Sequence, residues 1–352
     1  MSKEIIFICQ YLAKGGAERV LSLLINSFAE RGYSVKVVLL YENSIDYSLL
    51  DNIELINLRW GKKTSVVKKL GDIKYLRDIV KGNIVISFLF SAIRIAVLTC
   101  IFNKTKLILS ERNDPNNDPI GKWRQCFRTF LYFFADIIVF QTEEQRMYFP
   151  EIIQSKGVII ENPIMRNIPK VEGDIIERDR IIVSVCRYEM QKNIKMAIDA
   201  FELFKETHPD FKYHIYGKGD LEEDILEYIR EKKLQNSILL KGYDLNVHEK
   251  IRNAAMYISS SDYEGISNSM LEAMAMGLPV ICTDCPIGGA RHVIKNEING
   301  LLVDVGNFTM LAECMSRVVD NPVFSNRMSQ HALEIGDFFS EEKIIDKWIE
   351  II

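Results

Sequence analysis

Short apolar runs alternate along the chain with longer stretches of three-to-four-residue periodicity. EIIFICQ, residues 4–10, reads as a strand. Val20, Leu21, Leu24, Ile25 and Phe28 then fall on one helical face, and Gly32 marks the stop. SVKVVLL, IELINL, NIVISF, KLILS and DIIVFQ follow as strands with helical stretches mostly between them, and GVIIEN closes the first half. The pattern breaks after Asn162. NPIMRNIPKVEGDIIERDR carries two prolines, a glycine and dense charge without a period, which predicts a linker, placed at 166–178. Beyond it IIVSVC, KYHIYG, SILLKG, AAMYISSS, LPVICT and GLLVDV read as strands, and NIKMAIDAFELFKE and LEEDILEYIREKKL as helices.

Repeated strand–helix–strand units mean parallel sheets with right-handed crossovers. The expected fold is α/β: two doubly wound domains, 1–165 and 179–335, with a helical segment 336–352 returning toward the first. Ligands of such sheets bind beyond the carboxyl ends of the strands, so a cleft between two domains is the expected site.

Charge changes this picture more than composition does. Residues 1–170 hold 24 Lys+Arg against 17 Asp+Glu, and the remainder 20 against 31. A basic first half is either a chance excess of solvated lysines or a surface facing something anionic. GKWRQCFRTFLYFF, residues 121–134, mixes three cations with aromatics. It reads either as a helix packed on a sheet, the plainer reading, or as an interfacial one. No run reaches the roughly 20 apolar residues of a spanning helix. Seven scattered cysteines and the lack of a secretory signal point to a reducing compartment. The Cys282/Cys285 pair has no second pair to complete a zinc site.

The unusual residues fall at strand ends. Gly15 and Gly16 follow the first strand, where a helix start suits either a ligand or a tight turn. Arg187 and Lys192 flank the loop after the first strand of the second half, a spacing that suits a diphosphate or simply two surface cations. Gly217 and Gly219 stand at another strand end in a G-x-G-x-x-E that lacks the third glycine of a dinucleotide fingerprint, which makes a weak nicotinamide site but leaves room for the backbone to approach a donor ligand closely at Gly217. Glu111, Arg112 and Asn113 end a strand of the first half. SDYEGISNSMLEAMAMG, residues 261–277, sets Glu264 and Glu272 around a helix start. Ser269 to Glu272 fits a capping box, which would explain Glu272 without a ligand. It leaves Glu264, Gly265 and Ile266 unexplained. A carboxylate suits paired ribose hydroxyls, and free amides near Ser267, Asn268 and Ser269 suit a phosphate. The absence of H-E-x-x-H, G-x-S-x-G and the Walker motif sets aside zincins, common serine hydrolases and Walker-type nucleotide hydrolases.

Arg187 and Lys192, then EGISNSMLEAMAMGLPVI, then NGLLV at 299–303, together with the early GGAERV, resemble retaining glycosyltransferases of family 4. The resemblance runs from about Ile5 to Trp348. It implies a GT-B fold of two facing Rossmann-like domains. It also implies that Arg187 and Lys192 neutralise the donor diphosphate, that Glu272 holds the ribose and that Glu264 lies near the donor sugar. Gly15 and Gly16 would approach from the other domain, and Tyr243 would meet the base. Where many members carry a histidine, this chain has Arg112. Neither a metal nor another cofactor is implied. SERNDP and CPIGGARHVI resemble enzymes of capsular, O-antigen and lipid-linked glycan synthesis, which implies a UDP-sugar donor and a polyprenyl-diphosphate-linked acceptor. The implied location is the cytoplasm, with peripheral contact at the membrane face and no nucleic-acid partner. Three other readings stay open. They are another GT-B activity on UDP-sugars such as epimerisation, a sugar-nucleotide binder without turnover, and a nicotinamide oxidoreductase, which the incomplete fingerprint disfavours.

Overall fold

A computed structural model describes residues 3–13, 15–41, 45–170 and 178–352. Residues 171–177 of the expected linker lie outside these. The chain divides into two compact units, Met1–Pro163 with Glu341–Ile352, and Ile164–Ser340. The C-terminal return therefore begins at 341, five residues later than expected, because Phe339 packs against the second unit's apolar cluster.

The first unit is built on a seven-stranded parallel sheet. Its strands are β1 (Ile5–Cys9), β2 (Val35–Tyr41), β3 (Glu54–Trp60), β4 (Ile84–Phe88), β5 (Lys106–Ser110), β6 (Ile137–Phe140) and β7 (Gly157–Ile159), in the order β3-β2-β1-β4-β5-β6-β7. β1 is apolar at every position and buried throughout, as a central parallel strand covered on both faces requires. Phe7 pairs with Val37 on one side and Ile86 on the other. Helix α1 (Gly16–Glu30) turns Val20, Leu21, Leu24, Ile25 and Phe28 inward. It ends before Gly32, whose φ of +84° suits a residue without a side chain. Helices α2 (Val66–Val80), α3 (Phe90–Cys100) and α4 (Lys122–Tyr132) share one apolar cluster with the strands. The C-terminal helix Glu341–Ile349 is tied to this unit. Trp348 is fully buried and stacks on Phe88 at 5.8 Å, Glu341 accepts from Ser27, and Lys347 pairs with Glu161.

The second unit has a six-stranded parallel sheet of β8 (Asp179–Val185), β9 (Lys212–Tyr216), β10 (Ile238–Gly242), β11 (Ala254–Ser259), β12 (Val280–Thr283) and β13 (Leu301–Val303), ordered β10-β9-β8-β11-β12-β13. In both units the strand order reverses beside the first strand, between β1 and β4 and between β8 and β11. The loops leaving the carboxyl ends there diverge to opposite faces and leave a crevice for a ligand.

Candidate active site

The switch point of the second unit is flanked by the loop after β8 and the loop after β11, and hydrogen bonds stitch the two together. Gln191 donates to the Tyr263 carbonyl at 2.8 Å, Asn193 to Asp262 at 2.7 Å, and the Asp262 amide to the Gln191 carbonyl at 2.9 Å. Ser260 donates to the Lys192 and Asn193 carbonyls. Asn193 adopts a left-handed φ of +40° and caps the next helix by accepting from the Met196 amide.

This stitching places Lys192 against Glu264. The ammonium donates to Glu264 Oε2, which also accepts from Ser261 Oγ at 3.0 Å. Both side chains are largely buried. A cation and a carboxylate so placed form a charge-assisted pair. Arg187 does not join them; it is half exposed and pairs with Glu189 at 2.9 Å. Gly265 is fixed from the far side. A Cβ on Gly289 would lie 1.9 Å from the Gly265 carbonyl oxygen, and the Glu264 amide donates to the Pro286 carbonyl.

The helix after this loop corrects one expectation. It spans Asn268–Ala275, and its N-cap is Ser267, whose hydroxyl accepts from the Met270 amide. Ser269 is inside the first turn and pairs with the Tyr257 hydroxyl at 2.9 Å. The Ser269–Glu272 capping box therefore does not form. Glu272 lies a turn further on, buried, and His248 Nε2 sits 3.0 Å from its Oε2. His248 comes from the short helix Val247–Ile251 beyond β10, five residues after the half-exposed Tyr243. Sequence reasoning missed His248; the available signal was a histidine just past a strand end in the same loop as Tyr243.

Gly217 has a different explanation from the expected ligand approach. Its φ is +143°, and a Cβ there would lie 1.8 Å from the Cys186 carbonyl oxygen. Gly219 is as tightly packed against the Tyr188 backbone. Both glycines let the loop after β9 lie on the loop after β8, where the Cys186 amide donates to Tyr216 and the Tyr188 amide to Lys218. What approaches them is the chain itself.

Gly15, Gly16 and Arg112 belong to the first unit. Gly15 is the N-cap of α1 with an extended φ of −160°, and Gly16 is its first residue. Tyr47 holds the turn by donating to the Gly15 carbonyl at 3.0 Å. The Glu18 carboxylate lies against Gly15, 2.1 Å from where a Cβ would stand. Arg112 lies over the Phe88 ring at 4.3 Å and the Trp348 ring at 5.6 Å, and donates to Asn162 at 2.9 Å. Burial pulls its guanidinium down to about 9, against the opposing effect of Glu111. Glu111 is itself buried, accepts from Tyr132 at 3.0 Å and lies 3.4 Å from Arg128. Burial raises it to about 7, with Arg128 drawing it back down and Asp118 adding to the rise. Arg128 also donates to the Pro115 and Asp118 carbonyls, so this buried cluster shapes the loop that carries Arg112.

Residues 166–334 match the profile of the family described as Glycosyl transferases group 1. The match lies within the second unit and takes in just under half of the chain. Over nearly the whole chain (98%, and 97% of the relative) the sequence is 28% identical to a Campylobacter jejuni N-acetylgalactosamine-N,N'-diacetylbacillosaminyl-diphospho-undecaprenol 4-alpha-N-acetylgalactosaminyltransferase. That relative, matched from end to end, is a glycosyltransferase by name. Half of the chain is 30% identical to a Staphylococcus aureus poly(ribitol-phosphate) alpha-N-acetylglucosaminyltransferase, and the match spans only 36%, about a third, of that relative's length. Anabaena HepE in complex with UDP and glucose superposes with a TM-score of 0.86 at 16% identity, covering 99% of both chains. That likeness fixes the fold as the two-unit GT-B architecture.

Proposed function

We propose that this chain is a retaining, metal-independent glycosyltransferase. It moves a sugar from a UDP-sugar to a glycan or polyprenyl-diphosphate-linked acceptor. The observation that carries the reading is the arrangement at the β8/β11 switch point. Lys192 and Glu264 meet there, and a second buried carboxylate, Glu272, stands on the helix that leaves the same loop. Glu272 takes the ribose hydroxyls, which two carboxylate oxygens accept side by side. Lys192, joined by the exposed fork of Arg187, holds the diphosphate and stabilises the charge that develops on the departing nucleotide. These cations supply what a divalent ion supplies elsewhere. Glu264 lies next to them toward the sugar, and the amides at Ser267–Ser269 face the phosphate side. The first unit, whose strand ends carry Gly15, Gly16 and Arg112, takes the acceptor. The UDP in the HepE complex supports the donor class, and the diphospho-undecaprenol in the Campylobacter relative's name supports the acceptor class.

The test is a calorimetric titration with UDP, GDP, ADP and NAD in EDTA. It is followed by transfer from a UDP-sugar panel to an undecaprenyl-diphosphate glycan, with the product anomer read by NMR. Selective UDP binding, transfer in EDTA and an α-linked product from an α-donor are expected. Transfer only with added divalent metal, or an inverted product, would overturn the mechanism. Preference for GDP would change the donor class.

A further inference from the structure

The second unit has a cavity of about 360 Å³ at the edge of its sheet opposite the switch-point site. It lies at the amino ends of three parallel strands. Arg178 and Arg180 flank the start of β8, Phe211 precedes β9, and Ala255 is the second residue of β11. Three helix ends complete it. His208 caps the helix Ile194–Thr207, Val318 and Val319 stand near the end of the helix Phe308–Asp320, and Pro322 and Ser325 open the helix Pro322–Leu333. All these residues belong to one unit. The volume falls in the range of small-molecule sites.

Charge in the cavity is unbalanced. Arg180 pairs with Asp210 at 2.7 Å, and His208 Nε2 lies 3.1 Å from Asp320 Oδ1. Arg178 has no carboxylate partner among the described residues. Its Nη1 donates to the Ala254 carbonyl at 3.1 Å, and its Nη2 to the Gly277 carbonyl at 2.7 Å and to Ser329 Oγ at 3.2 Å. All three acceptors are neutral, and burial pulls the guanidinium down to about 10. A guanidinium also has more N–H donors than these bonds use. A cation withdrawn from water without a counter-charge favours an anion beside it. Ser325 adds a free donor. It is 8% exposed, and its hydroxyl has no hydrogen-bond partner among the described residues. Ser325 stands four residues before Ser329, on the same helical face and one turn from the guanidinium. Phe211, Ala255, Val318, Val319 and Pro322 make the surrounding wall apolar.

We propose that this cavity is a second ligand site, separate from the donor site, for a small organic anion. A carboxylate or phosphate head would sit between Arg178 and Ser325, with an apolar body against the wall. The helix Ile194–Thr207 begins beside the Lys192 loop and ends at the cavity, which sets the two sites about 21 Å apart.

Methyl NMR of the whole chain reads the site at Ala255, Val318 and Val319. Benzoate and phenyl phosphate are the anionic probes, and benzyl alcohol is the neutral control. Saturable shifts at these methyls are expected with at least one anion, with a Kd on the order of 1 mM. The tighter anion identifies the headgroup. Benzyl alcohol should bind about tenfold more weakly, and Arg178→Gln should weaken the anion by about as much, the scale of a lost charge-assisted hydrogen bond. Asp210→Asn, an exposed change that frees Arg180, should tighten anion binding and keeps the test open if Arg178→Gln fails to fold. An excess of UDP should leave the shifts in place. No saturable shift with either anion would overturn the proposal, as would equal binding of benzyl alcohol, displacement by UDP, or unchanged affinity in both variants.

Discussion

Replacing His248 with alanine separates two roles that Glu272 can play. The carboxylate is buried and its Oε2 lies 3.0 Å from the imidazole Nε2. Hydrogen bonds to a charged group contribute about 1.5–3 kcal/mol, and a buried acceptor left short of a donor loses that much. For a unit of this size, such a loss lowers the melting temperature by roughly 5 °C. If Glu272 holds the ribose, its carboxylate also turns away from the hydroxyls, and UDP binds about tenfold more weakly, a change of roughly 1.4 kcal/mol. Thermal unfolding and UDP calorimetry on His248→Ala, His248→Gln and Glu272→Gln read the two effects side by side. The glutamine at 248 keeps a donor at similar reach and should recover most of the affinity. A lower melting temperature with unchanged UDP affinity would refute the ribose role. No change in either quantity would refute the whole argument, including the idea that the imidazole orients the carboxylate.

Lys192→Ala should lower turnover by about a hundredfold or more, the scale for removing one preorganised charge-stabilising donor, with a smaller effect on the UDP-sugar KM; near-normal turnover would remove Lys192 from the chemistry. Glu111, raised by burial to about 7 from an ordinary value of 4.5, contributes stability that is present in full below about 4.5 and lost as pH rises through 7. The unfolding free energy from urea titrations should therefore fall between pH 5 and 7.5 by roughly 2 kcal/mol, and Glu111→Gln should flatten that slope; equal slopes in the two proteins would contradict it. Gly217→Ala should cost about 2 kcal/mol or more, because the new Cβ meets the Cys186 carbonyl and φ is unfavourable for a side chain; an unchanged melting temperature would show that the loop shifts freely.

The strands were legible because parallel sheets bury both faces, so β1 stands out as an unbroken apolar run and β4 and β12 as runs with a single small hydroxyl residue each. The position of the site was legible for a related reason: polar residues that interrupt such runs at strand ends collect at one edge of the sheet. Strand order was not, since nothing local in IIVSVC says that β11 lies beside it. The capping error has the same origin. Both Ser267 and Ser269 satisfy the local rule for an N-cap, and the choice falls to Ser267, with the Ser269 hydroxyl taken by Tyr257, twelve residues back on β11. Once the helix starts at 267, Glu272 is no longer near the first amides, and its partner is a histidine twenty-four residues away. Arg112 is a longer version of this problem, set by a tryptophan near the other end of the chain. Gly217 shows the limit most sharply. A glycine at a strand end tells a reader that something comes close to the backbone there. Only the three-dimensional arrangement decides whether that is a ligand or another loop, and at Gly217 it is the Cys186 carbonyl. The weight of the donor-site reading therefore passes to side chains whose chemistry, and not merely whose lack of bulk, needs explaining: Lys192, Glu264 and Glu272.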